Sequence, residues 1–260
     1  MKISEVLKDG IYVLKEKNID DSNLKARLLL AHLLGKSKEY LIINSFEELD
    51  TEKQIEYFSL LDRLIMGEPL QYITENQEFM GLDFFVNKNV LIPQPDTEIL
   101  VQAVIKFLNH NCGKENSKLF EILEKTKINN PKILDLCTGS GAIAISLAKN
   151  FQNDNMKIVA SDISEDALKV AKINCEKNEV NLKLIKSDLF ENIDEKFDII
   201  VSNPPYIETD VILELDLDVQ NEPHIALDGG EDGLNFYRKI AENSKRYLNK
   251  ERNVIFRNWI

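Results

Sequence analysis

The sequence predicts an α/β fold, a parallel sheet covered by helices and preceded by an amino-terminal helical bundle. Three observations carry that expectation. From Pro131 onward, short apolar runs rich in β-branched residues alternate with helical stretches, a rhythm that implies crossover connections and a parallel sheet. Polar and glycine-rich clusters recur where those runs end, the edge at which open parallel sheets bind ligands. Ahead of them, residues 3 to 65 place apolar side chains at helical spacing and hold no such cluster.

Composition narrows the class. With 260 residues and 43% hydrophobic content the chain can bury a substantial core in one domain or two. The formal net charge is -12, with Lys and Arg dispersed, so no footprint for direct nucleic-acid binding is visible and a small or protein substrate is favoured. Cys112, Cys137 and Cys175 show no paired spacing, and His32, His110 and His224 are scattered; neither a disulfide framework nor a metal site is indicated. The amino terminus lacks an apolar signal core and no run reaches membrane-spanning length, so a cytoplasmic protein with no membrane partner is expected.

Taken in order, residues 1–72 read as the bundle. Leu24, Leu28, Leu29 and Leu33 recur at turn spacing, with Asp20, Asp21 and Ser22 as caps and Gly35 as the stop. Thr51 and Gln54 resemble a capping box for a helix carrying Ile55, Phe58, Leu61 and Ile65, which Gly67 and Pro69 end. Residues 73–94 change character: Glu78, Phe79 and Met80 face Asp83, Phe84, Phe85 and Val86 across Gly81, as in a hairpin connector. The third segment, 95–260, opens after Pro93 and Pro95 with a helix bearing Leu100, Val101, Val104, Ile105 and Leu108. Residues 110–130 read as a surface excursion. Strands are expected over residues 133–136, 158–161, 182–185 and 197–202, and helices over 142–150 and after Ser164, whose hydroxyl caps a first turn holding Glu165 and Asp166. Val254, Ile255 and Phe256 begin a fifth strand.

The strand ends carry the chemistry. Asn203, Pro204, Pro205 and Tyr206 close the fourth strand. Neither proline has an N–H, and each pushes the residue before it toward an extended conformation. The ladder therefore stops at a stiff bend with unpaired carbonyls, an amide that both donates and accepts, and an aromatic ring. Such a bend suits a flat, amide-like group, although the tetrapeptide alone is equally a plain proline stop. After the first strand, Cys137, Thr138, Gly139, Ser140 and Gly141 let a ligand approach the backbone, and the next helix offers free N–H groups to an anionic group. With Ala144 they fit a dinucleotide-type pattern shared by several cofactor classes, or simply a tight turn. Asp162 ends the second strand about 20 residues on, where a carboxylate accepts ribose hydroxyls; alone such an Asp is more often a helix cap. Asp188 and Leu189 end the third, placed for an adenine's amine and ring, or for solvent.

Together these pieces resemble the protein-(glutamine-N5) methyltransferases that act on peptide chain release factors. The matching runs are residues 135–144, Asp162, residues 187–190 and residues 203–206, joined by residues 67–73, residues 90–93 and residues 226–234. The resemblance implies a Rossmann-like, S-adenosylmethionine-dependent methyltransferase sheet behind a release-factor-recognising bundle. S-adenosyl-L-methionine is then the cofactor, held by residues 137–141, Asp162, Asp188, Leu189 and Asn203. The acceptor is the glutamine of the Gly-Gly-Gln motif in class I release factors, met by Asn203, Pro204, Pro205 and Tyr206. A monomer is expected.

Three departures stand out. Gln94 occupies a position where the family usually has Arg, and Cys137 replaces a common Gly, a swap expected to matter little unless that position needs a positive φ. After Phe256 the family continues with Glu-Ile-Gly, a helix and a closing hairpin, whereas here Arg257, Asn258, Trp259 and Ile260 follow; one added nucleotide would account for the change, with a natural truncation as the alternative. The carboxyl-terminal edge strands are expected to be missing, which would leave the fifth strand as an exposed edge. Other classes stay open: a nucleic-acid base amino-methyltransferase, which shares the tetrapeptide but fits the acidic balance poorly; a nicotinamide-dependent oxidoreductase, which leaves the bend unexplained; and an inactive remnant that only binds release factor.

Overall fold

The computed structural model describes residues 1–109, 130–151 and 156–256. The expected excursion at 110–129 and the final residues 257–260 lie outside the described residues. Two compact units emerge, Met1–Glu75 with Asp216–Asn221, and Asn76–Leu215 with Glu222–Ile260.

The first unit is helical: α1 (Ile3–Glu16), α2 (Ser22–Leu34), α3 (Lys38–Ile43), α4 (Thr51–Ile65) and α5 (Leu70–Thr74), joined by the one-turn helix Leu217–Gln220. Both expected helices form, each turned part-way from the face the spacing predicts: Leu29 and Leu61 are buried and Leu33, Phe58 and Ile65 pack against the core, but other positions share the inward face. In α2 the buried residues are Ala26, Leu29, Leu30 and Ala31, while Leu24 is exposed. A helix with leucine on most sides leaves its inward face undetermined by periodicity, and tertiary packing decides. In α4, Tyr57, Leu61 and Leu64 are buried and Ile55 is exposed. The Tyr57 hydroxyl donates to the Ala26 carbonyl at 3.1 Å, and its ring lies against Gly10 of α1, where a Cβ would meet the ring carbon Cε1 at 2.8 Å. This tyrosine rotates the helix. The α4 cap is also one residue early: Asp50, rather than Thr51, accepts the Lys53 N–H at 2.8 Å, and Gln54 donates to the Leu49 carbonyl.

The second unit begins with the expected hairpin, β1 (Gln77–Phe79) against β2 (Leu82–Phe84), turned by Met80 and Gly81 at φ 54° and 71°. Two successive left-handed residues match the twist of the flanking strands. Next come α6 (Pro95–Asn109), with proline at its first position, β3 (Lys132–Leu136), α7 (Ala142–Asn150), β4 (Lys157–Asp162), α8 (Glu165–Lys177), β5 (Lys183–Lys186) and β6 (Phe197–Ser202). The chain continues through β7 (Ile207–Glu208), a 3₁₀ turn (Thr209–Glu214), the one-turn helix His224–Leu227, β8 (Asp228–Gly230), α9 (Asn235–Tyr247) and β9 (Leu248–Phe256).

The main sheet has the order β5-β4-β3-β6-β9 and is parallel throughout. Each of the four expected strands is present within a residue of its expected start, and β9 includes the three expected residues at its end, lying at one edge. Leu134, Leu136, Phe197 and Ile200 are fully buried, and Ile240 of α9 packs with them. Parallel strands start side by side, so Lys132, Lys157 and Lys183, the first residues of β3, β4 and β5, converge on Glu195 at 2.9, 3.1 and 3.1 Å. Hydrogen bonds from Lys132 first, then Lys183 and Lys157, hold the Glu195 carboxyl down to about 2.

The strand order reverses at β3. Connections leave β3 toward β4 on one side and reach β6 on the other, which opens a crevice at the carboxyl ends of β3 and β6. Leu136 and Ser202 are register partners, and the Ser202 hydroxyl donates to the Leu136 carbonyl at 2.8 Å. The glycine loop and the proline bend therefore leave the sheet from one rung.

Candidate active site

A cavity of about 260 Å³ fills that crevice. Of the residues the sequence singles out, Cys137, Thr138, Gly139, Ser140, Asp162, Asp188, Leu189, Asn203 and Pro205 line it. Gly141, Pro204 and Tyr206 do not. Gly141 is instead the N-cap of α7 at φ 83°, where a Cβ would meet Ile145 at 3.0 Å and Ala171 of α8 at 3.3 Å; its bareness lets the two helices close up beneath the loop. Pro204 is buried and Tyr206 partly so.

The loop is held from three directions. Asp162 accepts the Gly139 N–H at 2.8 Å through one oxygen and the Ser164 N–H at 2.9 Å through the other. Burial raises its carboxyl, while the two N–H bonds oppose that rise. Asp135, fully buried in β3, accepts the Thr138 hydroxyl at 2.6 Å, and burial pushes its carboxyl up to about 7. Asn174 of α8, also fully buried, donates to the Ser140 carbonyl and to the Phe85 carbonyl at 2.9 Å each, and accepts the Phe85 N–H at 2.6 Å. A buried Asn inside a helix must satisfy both ends of its amide, and here it ties the loop to the chain following β2.

Cys137 has φ 59° and Leu189 φ 46°, conformations that cost a side chain bearing Cβ about 1–2 kcal/mol. Position 137 does need a positive φ, so the condition under which the Cys137 swap would matter little is not met. Its thiol is pushed up by burial, with the Asp162 and Asp135 carboxylates adding to the effect, so it stays protonated in the cavity wall. Gln94 turns back to the Ile92 carbonyl at 3.2 Å, and the Ile92 N–H donates to the buried Glu222 at 2.7 Å.

On the bend side the accounting does not close. Asn203 Nδ2 reaches the Thr97 hydroxyl at 3.4 Å, while its Oδ1 is buried with no hydrogen-bond partner. An unmet buried acceptor costs about 1–3 kcal/mol, a cost that an N–H donor brought into the crevice relieves. Thr97, Phe236 and Lys239 complete this wall, with the Lys239 ammonium 5.7 Å from the Phe236 ring centre. Sequence reasoning did not single out these three. Thr97 reads as an ordinary first-turn residue of α6, and α9 carries no motif.

The donor set fits a methyl-donating nucleoside. Asp162 retains lone pairs beyond its two backbone bonds for ribose hydroxyls, and Ile143, Ile163 and Leu189 supply apolar wall. Comparison with known proteins agrees. Residues 5–74 match the PrmC N-terminal domain and residues 110–220 the methyltransferase small domain. A release factor glutamine methyltransferase of Clostridium acetobutylicum is 43% identical over 254 residues, covering 95% of this chain and 82% of that relative. The chain belongs to the release factor glutamine methyltransferase family. A relative of the same name from Haemophilus influenzae is 36% identical, covering 96% of this chain and 84% of its own length. A bifunctional methyltransferase of Rickettsia felis is 42% identical, and this chain spans 50% of it. Among solved structures, the hMettl16 catalytic domain in complex with a MAT2A 3'UTR hairpin has TM-score 0.50 at 15% identity, covering 84% of this chain and 75% of that one; that likeness concerns the fold. As a member of the release factor glutamine methyltransferase family, the chain is a methyltransferase whose cofactor is S-adenosyl-L-methionine.

Proposed function

We propose that the chain methylates the side-chain amide nitrogen of the glutamine in the Gly-Gly-Gln motif of class I release factors. The observation that carries this reading is the unpartnered Asn203 Oδ1, buried beside the cavity that the glycine loop lines. A primary amide presents two N–H donors in one plane and a nitrogen whose lone pair is delocalised into its carbonyl. Such a nitrogen reacts only when aligned, so positioning supplies much of the acceleration. Asn203 Oδ1 accepts one N–H, the Pro204 carbonyl accepts the other, and Pro205 and Tyr206 flank the amide plane. Thr97 anchors the far end of the Asn203 side chain. Gly139, Asp162, Asp188 and Leu189 hold the cofactor, which when bound supplies a methyl group made electrophilic by its sulfonium. The amide proton is lost after transfer.

In this reading the helical unit recognises the release factor, and the protein works as a cytoplasmic monomer. The test is mass spectrometry of a release factor's Gly-Gly-Gln peptide after incubation with the chain and S-adenosyl-L-methionine. A single added methyl on the glutamine side chain is expected. An unmodified peptide, or methyl incorporated into DNA or RNA instead, would overturn the reading.

A further inference from the structure

A glycine-rich run lies outside the cavity. Residues 228–233 read Asp-Gly-Gly-Glu-Asp-Gly, and none of them lines the cavity. In the structure they lie against the backbone of the catalytic bend. A Cβ on Gly229 would stand 2.7 Å from the Tyr206 Cα and 2.8 Å from its carbonyl carbon, and one on Gly233 would collide with the Tyr206 carbonyl oxygen. These are backbone atoms, which cannot swing aside as a side-chain tip can. The two glycines thus grip the last residue of the bend through contacts that only bare Cα atoms allow.

The grip is itself braced. Strand β8 pairs with β7, which begins at the residue after Tyr206. Asp228 Oδ1 accepts the Thr209 hydroxyl at 2.7 Å and the Gly230 N–H at 2.9 Å. The Gly233 N–H closes a turn onto the Gly230 carbonyl at 3.1 Å. Asp232 accepts the Leu234 N–H and pairs with Arg238 on the first turns of α9, the helix that carries Phe236 and Lys239 into the cavity wall. The segment therefore runs from behind the bend to the cavity without leaving ordered contacts.

We propose that Gly229 and Gly233 are positioning residues for methyl transfer: by clamping the Tyr206 backbone they fix the direction of Asn203. The inference rests on the acceptor role of Asn203 argued above. Its size follows from geometry, since a Cβ at either glycine displaces the bend by several tenths of an ångström or more, and a 1 Å error in a near-attack arrangement costs about 10²-fold.

The test compares the full-length chain with Gly233→Ala and Gly229→Ala. The expected result is a fall in kcat of about 100-fold, with the peptide KM and the dissociation constant for S-adenosylhomocysteine each within about threefold of wild type. Hydrogen exchange should rise in the peptide spanning residues 203–208 and stay unchanged over residues 137–141. A merely structural role would move cofactor affinity, the unfolding midpoint and exchange in both segments together, and that outcome overturns the proposal. So does unchanged exchange over residues 203–208. Should the alanine variants not fold, Thr209→Val decides, because it removes the Asp228 tether without adding atoms; about a threefold to tenfold fall in kcat at constant KM is expected, and wild-type kcat with wild-type exchange overturns the clamp. The exchange readout does not depend on activity. A wild-type chain that leaves the glutamine unmodified therefore sinks the functional reading, while the exchange data still judge the clamp.

Discussion

The two units of this chain place their uncommon backbone and polar groups differently. In the helical unit, residues with positive φ sit at the ends of helices: Asn18 after α1, Asp21 before α2, Gly35 after it and Glu75 after α5. There they act as punctuation. In the sheet unit Cys137, Gly139 and Leu189 adopt such conformations in the wall of the cavity. Polar satisfaction divides the same way. Among the described residues, the buried side-chain atoms without a partner are Asp135 Oδ1, Ser146 Oγ and Asn203 Oδ1, all in the sheet unit. The helical unit is built to stay folded, whereas the sheet unit places strained backbone and, at Asn203, an unmet hydrogen bond in the cavity wall, where a ligand can relieve them.

Changes that damage one unit and spare the other sharpen this contrast. Among changes read as binding or stability, the largest effect is expected at Asp162→Ala. Loss of a charged acceptor that also braces Gly139 should raise the cofactor dissociation constant by about 10–100-fold, the equivalent of about 1.5–3 kcal/mol, and calorimetry with S-adenosylhomocysteine reads it. An unchanged constant would remove Asp162 from the site. The counterpart in the helical unit is Gly10→Ala. Alanine ordinarily favours a helix by up to about 1 kcal/mol, but here its Cβ meets the fully buried Tyr57 ring, and overpacking costs about 1–3 kcal/mol. A net loss of stability in chemical denaturation, with cofactor affinity intact, is expected. A more stable variant would show that the tyrosine can yield.

Asp135 gives the contrast a pH dependence. Its folded value, about 7, lies above the ordinary carboxylate range because the charge would be buried. The unfolded chain releases that proton near pH 4, so the stabilising difference is complete below that point and is lost as pH rises through about 7. The thermal stability of the wild type should therefore fall between pH 5 and pH 8 relative to Asp135→Asn, which has no proton to lose. Parallel profiles would contradict the burial argument. The smallest effect belongs to Glu195→Gln, which leaves three ammonium groups facing one another at the amino edge of the sheet. Because the lysines are largely exposed, screening limits the loss to about 1 kcal/mol at neutral pH. The ionic contribution of Glu195 is present above its ordinary range and disappears as pH falls through about 2, so the variant should match wild type in strong acid.

Much of this architecture was legible because parallel sheets advertise themselves. Strands buried on both faces read as continuous apolar runs, and residues 197–202 and 142–150 have the boundaries the sequence implies. The bend and the glycine loop were legible for a related reason: prolines without N–H groups and clustered glycines are constraints that each residue declares locally. What stayed hidden depended on long-range packing. Leucines around α2 do not say which of them faces inward, and only Gly10 and Tyr57 together settle the rotation of α4. Asn174, Thr97 and Lys239 join the site or brace it through contacts between segments distant in sequence, for which no local pattern exists. Cys137 shows a related limit, because the residue type leaves open whether its position needs a positive φ and the loop geometry decides it.

The central claim is that Asn203 aligns an acceptor amide beside the cofactor held by the glycine loop and Asp162. Single-turnover methyl transfer to a Gly-Gly-Gln peptide by Asn203→Ala, at saturating S-adenosyl-L-methionine and with cofactor affinity measured on the same preparation, tests it most directly. The account predicts transfer slower by about 10²-fold or more with the cofactor dissociation constant within about twofold of wild type. A near-normal transfer rate would contradict it.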